Sequence, residues 1–321
     1  MKTSPDEKCR AGRQAAGLLT ALLAITTVLV GCEGTRADDK SAATSHQTLA
    51  PTEPSSSTAA SATTTDPATA EGTLYDVGGH RLYMSCKGSG SPTVVYVHGW
   101  IDDTSHPPHL NAEGIRDLLI DDYRVCLYDR RNVGSSEKVD AVQTPADMLN
   151  DMEAVLKAGG TKPPYLLIAA SFGGLVAYSY LNHHPDNVAG LVFIDGMFPD
   201  ELGLDRYLPR KFRSIHYRHD DACCSPERIA QFDLFREVQR YIGHEPRVPM
   251  IYLASKQEPR NQNEYQSPAY DARILDAQAA FVDRFSPGQL KWVDAPHFME
   301  PVVPEQIAQA VRDVDHLASS G

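Results

Sequence analysis

Ser171 interrupts an apolar segment in a way that suits a nucleophile. Residues 166–170 are apolar and strand-like, and apolar residues at helical spacing resume after Gly173 and Gly174. A strand that turns into a helix within one residue strains the serine backbone and leaves the hydroxyl exposed at the sheet edge. The residues two positions before and after the serine must then be small, and they are Ala169 and Gly173. The pattern predicts a nucleophilic serine rather than a serine in an ordinary turn.

A serine nucleophile needs a base, and His297 is the candidate. An imidazole that accepts the hydroxyl proton activates the serine, and a carboxylate fixes the imidazole tautomer and stabilises the imidazolium. Of the 12 histidines, His297 lies in the loop directly after the last predicted strand. Two carboxylates also follow predicted strands, Asp195 after the sixth and Glu258 after the seventh. Both fit the chain order serine, acid, histidine.

The elements around these residues predict how they are brought together. Short strand patterns alternate with helical ones, which indicates a mostly parallel sheet flanked by helices. The strands are predicted at 74–77, 81–86, 93–97, 123–128, 166–170, 191–194, 249–253 and 290–293. Helices are predicted at 111–120, from Pro145 with Thr144 as the N-cap, after Ser171, at 268–285 and at 304–317. Ser171, both acids and His297 then follow the C-terminal ends of strands, where the sites of such sheets collect.

The N-terminal segment is predicted to be a targeting signal rather than a part of the fold. A basic start precedes the apolar stretch from Ala15 to Val30, which is shorter than the roughly 18 to 20 residues of a membrane span. The end of this stretch resembles the bacterial lipobox, in which Cys32 would be diacylated and become the new N-terminus. Residues 1–31 are therefore predicted to be a lipoprotein signal peptide. The location predicted is the bacterial cell envelope, outside the cytoplasm and lipid-anchored to the membrane.

Composition divides the remaining chain in two. Residues 32–72 consist largely of Ser, Thr, Ala and Pro, which cannot bury enough apolar surface to fold, so they are predicted to be a disordered tether. Residues 73–321 are enough for one α/β catalytic domain. The formal net charge of −12 disfavours a nucleic-acid partner, because phosphates are neutralised by an excess of basic side chains.

The cysteines outside the signal and the lipidation position permit disulfides in an oxidising compartment. Cys86 and Cys126 fall in predicted strands, where either a bridge or two buried thiols fits. Cys223 and Cys224 are adjacent, and no motif decides their pairing.

Several motifs between residues 73 and 318 resemble the α/β-hydrolase family. They are His98-Gly99-Trp100 after the third strand, the segment 128–136 after the fourth, the Ser171 elbow, Asp195-Gly196 after the sixth, and Pro296-His297-Phe298 after the eighth. Ala169 departs from the glycine that usually opens the elbow motif, but alanine is small enough for the bend. The resemblance implies an α/β-hydrolase fold, with a mostly parallel eight-stranded sheet and a small lid between strands six and seven, at about 197–247.

The resemblance also implies roles for individual residues. The backbone amides of Trp100 and Phe172 would bind the oxyanion. Glu258 is preferred as the acid because the family usually places a carboxylate after the seventh strand, although commonly an aspartate; Asp195 is the alternative that some relatives use. Because the family pairs the second strand with the fourth, the resemblance favours the Cys86 to Cys126 bridge.

The function expected is that of a membrane-tethered serine hydrolase that cleaves small carboxylic esters through an acyl-enzyme, with no cofactor and no metal. One alternative is an aminopeptidase resembling proline iminopeptidases, in which lid carboxylates should bind a substrate amine. The basic side chains of the predicted lid, among them Arg206, Arg210 and Lys211, argue mildly against it. Another alternative is a non-catalytic surface binding module that kept the fold. The sequence specifies neither the acyl chain length nor the oligomeric state.

Overall fold

The computed structural model describes residues 72–101, 106–207, 226–256 and 268–320. The predicted signal peptide, Cys32, nearly all of the tether, Cys223, Cys224 and Glu258 lie outside these ranges. Eight strands are present in the described ranges: β1 Thr73–Asp76, β2 Arg81–Lys87, β3 Thr93–Val97, β4 Arg124–Tyr128, β5 Tyr165–Ala170, β6 Val188–Ile194, β7 Met250–Ser255 and β8 Gly288–Val293. Seven α-helices accompany them: α1 Glu113–Asp117, α2 Pro145–Ala158, α3 Gly173–His183, α4 Glu201–Leu204, α5 Gln231–Val238, α6 Pro268–Val282 and α7 Pro304–Ser319.

The strands form one sheet in the order β1-β2-β4-β3-β5-β6-β7-β8. The pairs β1–β2 and β2–β4 are antiparallel, and every other neighbouring pair is parallel. All five residues of β3 and all six of β5 are buried, because helices cover both faces of the parallel part. The predicted fold class, an eight-stranded and mostly parallel sheet flanked by helices, is confirmed.

Two hydrophobic cores lie on opposite faces of the sheet. Alternate residues of β3 show the division, with Val95 and Val97 in one core and Val94 and Tyr96 in the other. Helices α2, α3, α5 and α6 contribute to the first core, whereas α1 and α7 contribute to the second. The sheet between these cores holds the C-terminal ends of β5, β6 and β7 in fixed register, and the site lies at those ends.

Local signals set the helix boundaries. The Thr144 side chain accepts from the Asp147 amide at 3.2 Å, and the Asp147 carboxylate accepts from the Thr144 amide at 2.8 Å, so α2 begins with a capping box as its N-cap residue predicts.

The region predicted to be a lid, 197–247, contains α4 and α5 within its described residues. No helix in the described part of the chain is long and apolar enough to cross a membrane.

A disulfide joins Cys86 and Cys126. The two residues lie directly opposite each other in the antiparallel β2–β4 pair, with their Cα atoms 4.1 Å apart. The pairing that the family resemblance favours is present, and the bridge ties the antiparallel strand β2 to β4, which borders the parallel part of the sheet.

Candidate active site

Ser171 lies in a strained turn between β5 and α3. Its φ angle is +48°, a left-handed conformation that is unfavourable for any residue with a side chain. The Ser171 amide donates to the carbonyl of Ile194 at 3.2 Å, and its carbonyl accepts from the Met197 amide at 2.7 Å. These two bonds tie the turn to the end of β6 and the residues just after it, so the sheet holds Ser171 in its strained conformation.

Small residues make the turn possible, as the sequence predicts. A Cβ atom on Gly173 would lie 2.1 Å from the carbonyl oxygen of Val97, far closer than any real contact. Gly99 approaches the turn from the other side, where a Cβ would lie 3.0 Å from the Cβ of Ser171. Ala169 is fully buried at the end of β5. The strand, the helix and the loop after β3 can therefore converge on the serine.

His297 joins Ser171 to a carboxylate in a hydrogen-bonded chain. Its Nε2 atom lies 3.0 Å from Ser171 Oγ, and its Nδ1 atom lies 2.8 Å from Oδ2 of Asp195. An ionised carboxylate only accepts hydrogen bonds, so Nδ1 carries the proton and the Nε2 lone pair faces the serine hydroxyl as the proton acceptor. The His297 side chain is 32% exposed and that of Asp195 is 8% exposed, which leaves the base within reach of a substrate and keeps its partner buried.

The structure places one of the two candidate acids, Asp195, against His297. Asp195, the alternative, occupies the Nδ1 side of His297, whereas the preferred Glu258 lies outside the described residues. Asp195 follows β6, which pairs directly with the nucleophile strand β5, so its carboxylate is already beside the elbow. The Asp195 φ angle of +42° turns the residue away from the strand, and Ser255 at the end of β7 donates its amide to Oδ1 at 3.1 Å.

The loop that carries His297 is fixed by polar contacts on both sides. The Ser255 hydroxyl donates to the carbonyl of Ala295 at 2.7 Å. The Tyr96 hydroxyl donates to the buried carboxylate of Glu300 at 2.7 Å, and burial followed by the Glu300 charge raises the pKa of this tyrosine well above its usual value. These bonds anchor the residues before and after His297 to β7 and β3.

The segments that carry the two predicted oxyanion amides meet at Ser171. Phe172 directly precedes α3, whose amino end favours negative charge. Trp100 follows Gly99 in the loop that touches the serine, and its ring meets that of Phe172 edge to face at 5.7 Å. The ring contact and the approach of Gly99 bring the segments that carry both residues to Ser171.

A buried ion pair that the sequence motifs do not predict lies beside this loop. Arg130 Nη2 lies 2.9 Å from the Glu227 carboxylate, and the two side chains are 3% and 0% exposed. They are 97 positions apart. The available signal is the Arg130-Arg131 pair, an unusual cluster of charge after a buried strand.

Glu201, at the start of α4, is a second carboxyl group that the sequence analysis does not single out. Burial is the largest cause that raises its pKa to about 8, and the Asp195 charge adds to it, although the Phe198 amide, which donates to Oε1 at 3.1 Å, opposes the shift. At neutral pH this group is mostly uncharged. Within the described ranges, no group of three or more His, Cys, Asp or Glu side chains is placed to hold a metal ion.

Comparison with known proteins agrees with the architecture. Residues 92–217 match the model of the α/β-hydrolase fold. An esterase from Thermogutta terrifontis superimposes with a TM-score of 0.55 at 17% identity, covering 78% of this chain and 99% of that one. The chain has the α/β-hydrolase fold.

Sequence relatives match at low identity or over only part of the chain. The uncharacterised protein YqjL of Bacillus subtilis is 22% identical over 217 residues, which are 66% of this chain and 82% of YqjL. A proline iminopeptidase of Arabidopsis thaliana is 33% identical over 123 residues, but these are only 37% of this chain and 30% of the plant protein.

Proposed function

We propose that this protein is a serine hydrolase in which Ser171, His297 and Asp195 act as nucleophile, base and acid. The observation that carries the proposal is the unbroken chain of contacts from Ser171 Oγ to His297 Nε2 at 3.0 Å and from His297 Nδ1 to Asp195 at 2.8 Å. A base within hydrogen-bond reach of a hydroxyl, itself oriented by a third group, is the geometry of an activated nucleophile.

The mechanism follows from the position of each group. Ser171 Oγ attacks a carbonyl carbon while His297 Nε2 accepts its proton, and Asp195 stabilises the imidazolium that forms. The amides of Trp100 and Phe172 donate to the developing oxyanion. The imidazolium then protonates the leaving group, and a water molecule activated by His297 releases the acid from the acyl-enzyme.

Carboxylic esters are the proposed substrates. The structural similarity to an esterase supports this choice, and the partly exposed His297 leaves the base accessible to a substrate. The partial match to a proline iminopeptidase supports an aminopeptidase as the second candidate. That reaction needs a carboxylate to bind the substrate ammonium group, whereas ester cleavage needs only the contacts among Ser171, His297 and Asp195, which favours the ester.

A substrate panel with a Ser171→Ala control tests the proposal. p-Nitrophenyl esters from acetate to palmitate report ester cleavage and acyl length, and prolyl, alanyl and leucyl p-nitroanilides report aminopeptidase activity. We expect Ser171-dependent hydrolysis of at least one ester and little release from the anilides. Anilide cleavage without ester cleavage would favour the aminopeptidase. Equal rates for wild type and Ser171→Ala on every substrate would contradict both enzymes and leave the binding module.

Anchoring to the bacterial cell envelope through a lipid on Cys32 is a separate proposal. The basic start, the short apolar stretch and the residues that precede Cys32 support it. Metabolic labelling with an alkyne analogue of palmitate should mark the full chain, and Cys32→Ala should remove both the label and membrane association. A labelled Cys32→Ala protein, or an unlabelled wild type that fractionates with soluble protein, would contradict the anchor.

A further inference from the structure

Arg130 contacts three groups around the loop that carries Trp100. Its Nη1 atom donates to the carbonyl of His98 at 2.5 Å and its Nη2 atom to the carbonyl of Gly99 at 2.7 Å. The guanidinium carbon also lies 5.4 Å from the centre of the Phe172 ring, a cation–π contact. One buried side chain therefore touches both segments that supply the predicted oxyanion amides.

The bond to Gly99 acts on the amide of Trp100 directly. The Gly99 carbonyl and the Trp100 N–H belong to one planar peptide unit, which is trans, so the two groups point in opposite directions. A guanidinium that holds the carbonyl fixes the direction of the N–H on the other side. It also polarises the peptide, because hydrogen bonds in a chain strengthen one another, and a charged donor strengthens them most.

Glu227 holds the next peptide unit. Its Oε1 atom accepts from the Ile101 amide at 2.7 Å, and its carboxylate accepts from Arg130 at 2.9 to 3.1 Å. The peptides on both sides of the Trp100 α-carbon are thus bound by the two members of one ion pair. The loop cannot rotate at Trp100 without breaking a charged hydrogen bond.

His98 completes the arrangement as a neutral group. Its Nε2 accepts from the Arg130 amide at 3.1 Å, which places the ring proton on Nδ1, 2.8 Å from the Gly99 carbonyl that it donates to. Burial, and then the Arg130 charge, lowers the pKa of His98 well below its usual range. The Gly99 carbonyl therefore receives two donors.

We propose that the Arg130–Glu227 pair positions and polarises the Trp100 amide for the transition state, so that both residues set the rate of oxyanion formation without touching the substrate. The inference rests on the proposed function. Stability alone is a weak explanation for this pair, since desolvating two charges costs about as much as their attraction returns.

A neighbouring ion pair provides a matched control. Arg131 Nη2 lies 2.8 Å from Asp151, and these side chains are 9% and 10% exposed, so they are nearly as buried as Arg130 and Glu227. Arg131 and Asp151 bond to each other, Asp151 also bonds to His80, and the Arg131 carbonyl accepts from Gln143, so these bonds do not reach residues 98–101. Damage from breaking a buried pair is common to both sites, whereas an effect on the oxyanion amide is specific to one.

The experiment compares Arg130→Lys and Glu227→Gln with Arg131→Lys and Asp151→Asn. The readouts are kcat/KM on the best ester and the inhibition constant of a trifluoromethyl ketone, which adds to the serine and places an oxyanion in the hole. Active sites are counted by the end point of fluorophosphonate labelling, and folding is followed by thermal melting. A lysine reaches one carbonyl rather than two, and a glutamine replaces a carboxylate oxygen by an NH₂ that repels Arg130.

We expect kcat/KM to fall about tenfold or more in Arg130→Lys and Glu227→Gln, part of the loss seen when one oxyanion donor is removed. Binding of the ketone should weaken by the same factor, while binding of the alcohol product, which carries no oxyanion, stays unchanged. The control pair should keep kcat/KM within about twofold at similar loss of melting temperature. If either Arg130→Lys or Glu227→Gln fails to fold, the comparison is made with the variant that folds.

Equal kcat/KM in the test and control variants would overturn the inference, as would a tenfold loss without weaker ketone binding. If Ser171→Ala kept the activity of the wild type, the proposed function itself would be contradicted, which distinguishes that failure from a failure of the present inference.

Discussion

Replacing Asp195 by asparagine separates the two candidate acids. The Asp195 carboxylate has two acceptor oxygens in use: Oδ1 accepts from the Ser255 amide at 3.1 Å, and Oδ2 accepts from His297 Nδ1 at 2.8 Å. Asparagine has a single oxygen. If that oxygen keeps the Ser255 amide, the NH₂ group faces Nδ1 and forces the ring proton onto Nε2. His297 can then no longer accept the Ser171 proton.

The expected loss follows from this wrong tautomer, which lowers kcat by on the order of 10⁴-fold in a triad whose geometry stays intact. We expect a fall of about 10³- to 10⁴-fold for Asp195→Asn. Glu258→Gln is the matched control, since it makes the same chemical change at the acid preferred from sequence. It should keep kcat within about twofold.

The assay is steady-state ester hydrolysis with the Ser171→Ala rate subtracted, together with thermal melting to verify that both variants fold. A Glu258→Gln loss that exceeds that of Asp195→Asn would refute the assignment of Asp195. Comparable losses in both would mean that neither carboxylate alone orients His297.

Three further predictions concern the framework. Gly173→Ala should abolish activity and destabilise the fold by more than about 3 kcal/mol, because the new Cβ would lie 2.1 Å from the Val97 carbonyl oxygen. Thermal melting and ester hydrolysis check this, and a soluble variant with the wild-type melting temperature and activity would contradict it. Replacing Cys86 and Cys126 by serine should cost about 2–4 kcal/mol of unfolding free energy in denaturant titrations under oxidising conditions, and no difference from wild type would mean that the bridge adds no stability. Glu201→Gln should flatten the pH dependence of stability: burial raises the pKa of Glu201 from 4.5 to about 8, so the folded state binds its proton more tightly, and wild type loses stability as pH rises from about 4.5 to about 8. This loss of unfolding free energy is at most about 1.4 kcal/mol per pH unit, and partial exposure of Glu201 reduces it. The melting temperatures of wild type and Glu201→Gln should therefore be similar at low pH, and that of Glu201→Gln should be the higher one near pH 8.

The sequence predicts the nucleophile and the fold because both depend on local patterns. The change from strand to helix at Ser171 needs small neighbours within a few positions, and the apolar strands must be covered on both faces. These requirements can be read from adjacent residues. The position of His297 after the last strand follows from the same alternation of elements.

The acid could not be chosen in this way, because Asp195 and Glu258 both follow buried strands. The choice depends on which strand end lies beside the serine and on the left-handed turn at Asp195, neither of which a strand pattern specifies. The Arg130–Glu227 pair is harder still, since its partners are 97 positions apart and charged residues are expected at the surface.

The most direct test of the account is to find which atom a fluorophosphonate modifies. Peptide mapping by mass spectrometry of the labelled full chain should place one phosphonate on the Ser171 hydroxyl, with labelling slowed strongly in His297→Ala and abolished in Ser171→Ala. A phosphonate on any other residue, or labelling of Ser171 at the same rate without the imidazole of His297, would contradict the central claim that His297 activates this serine.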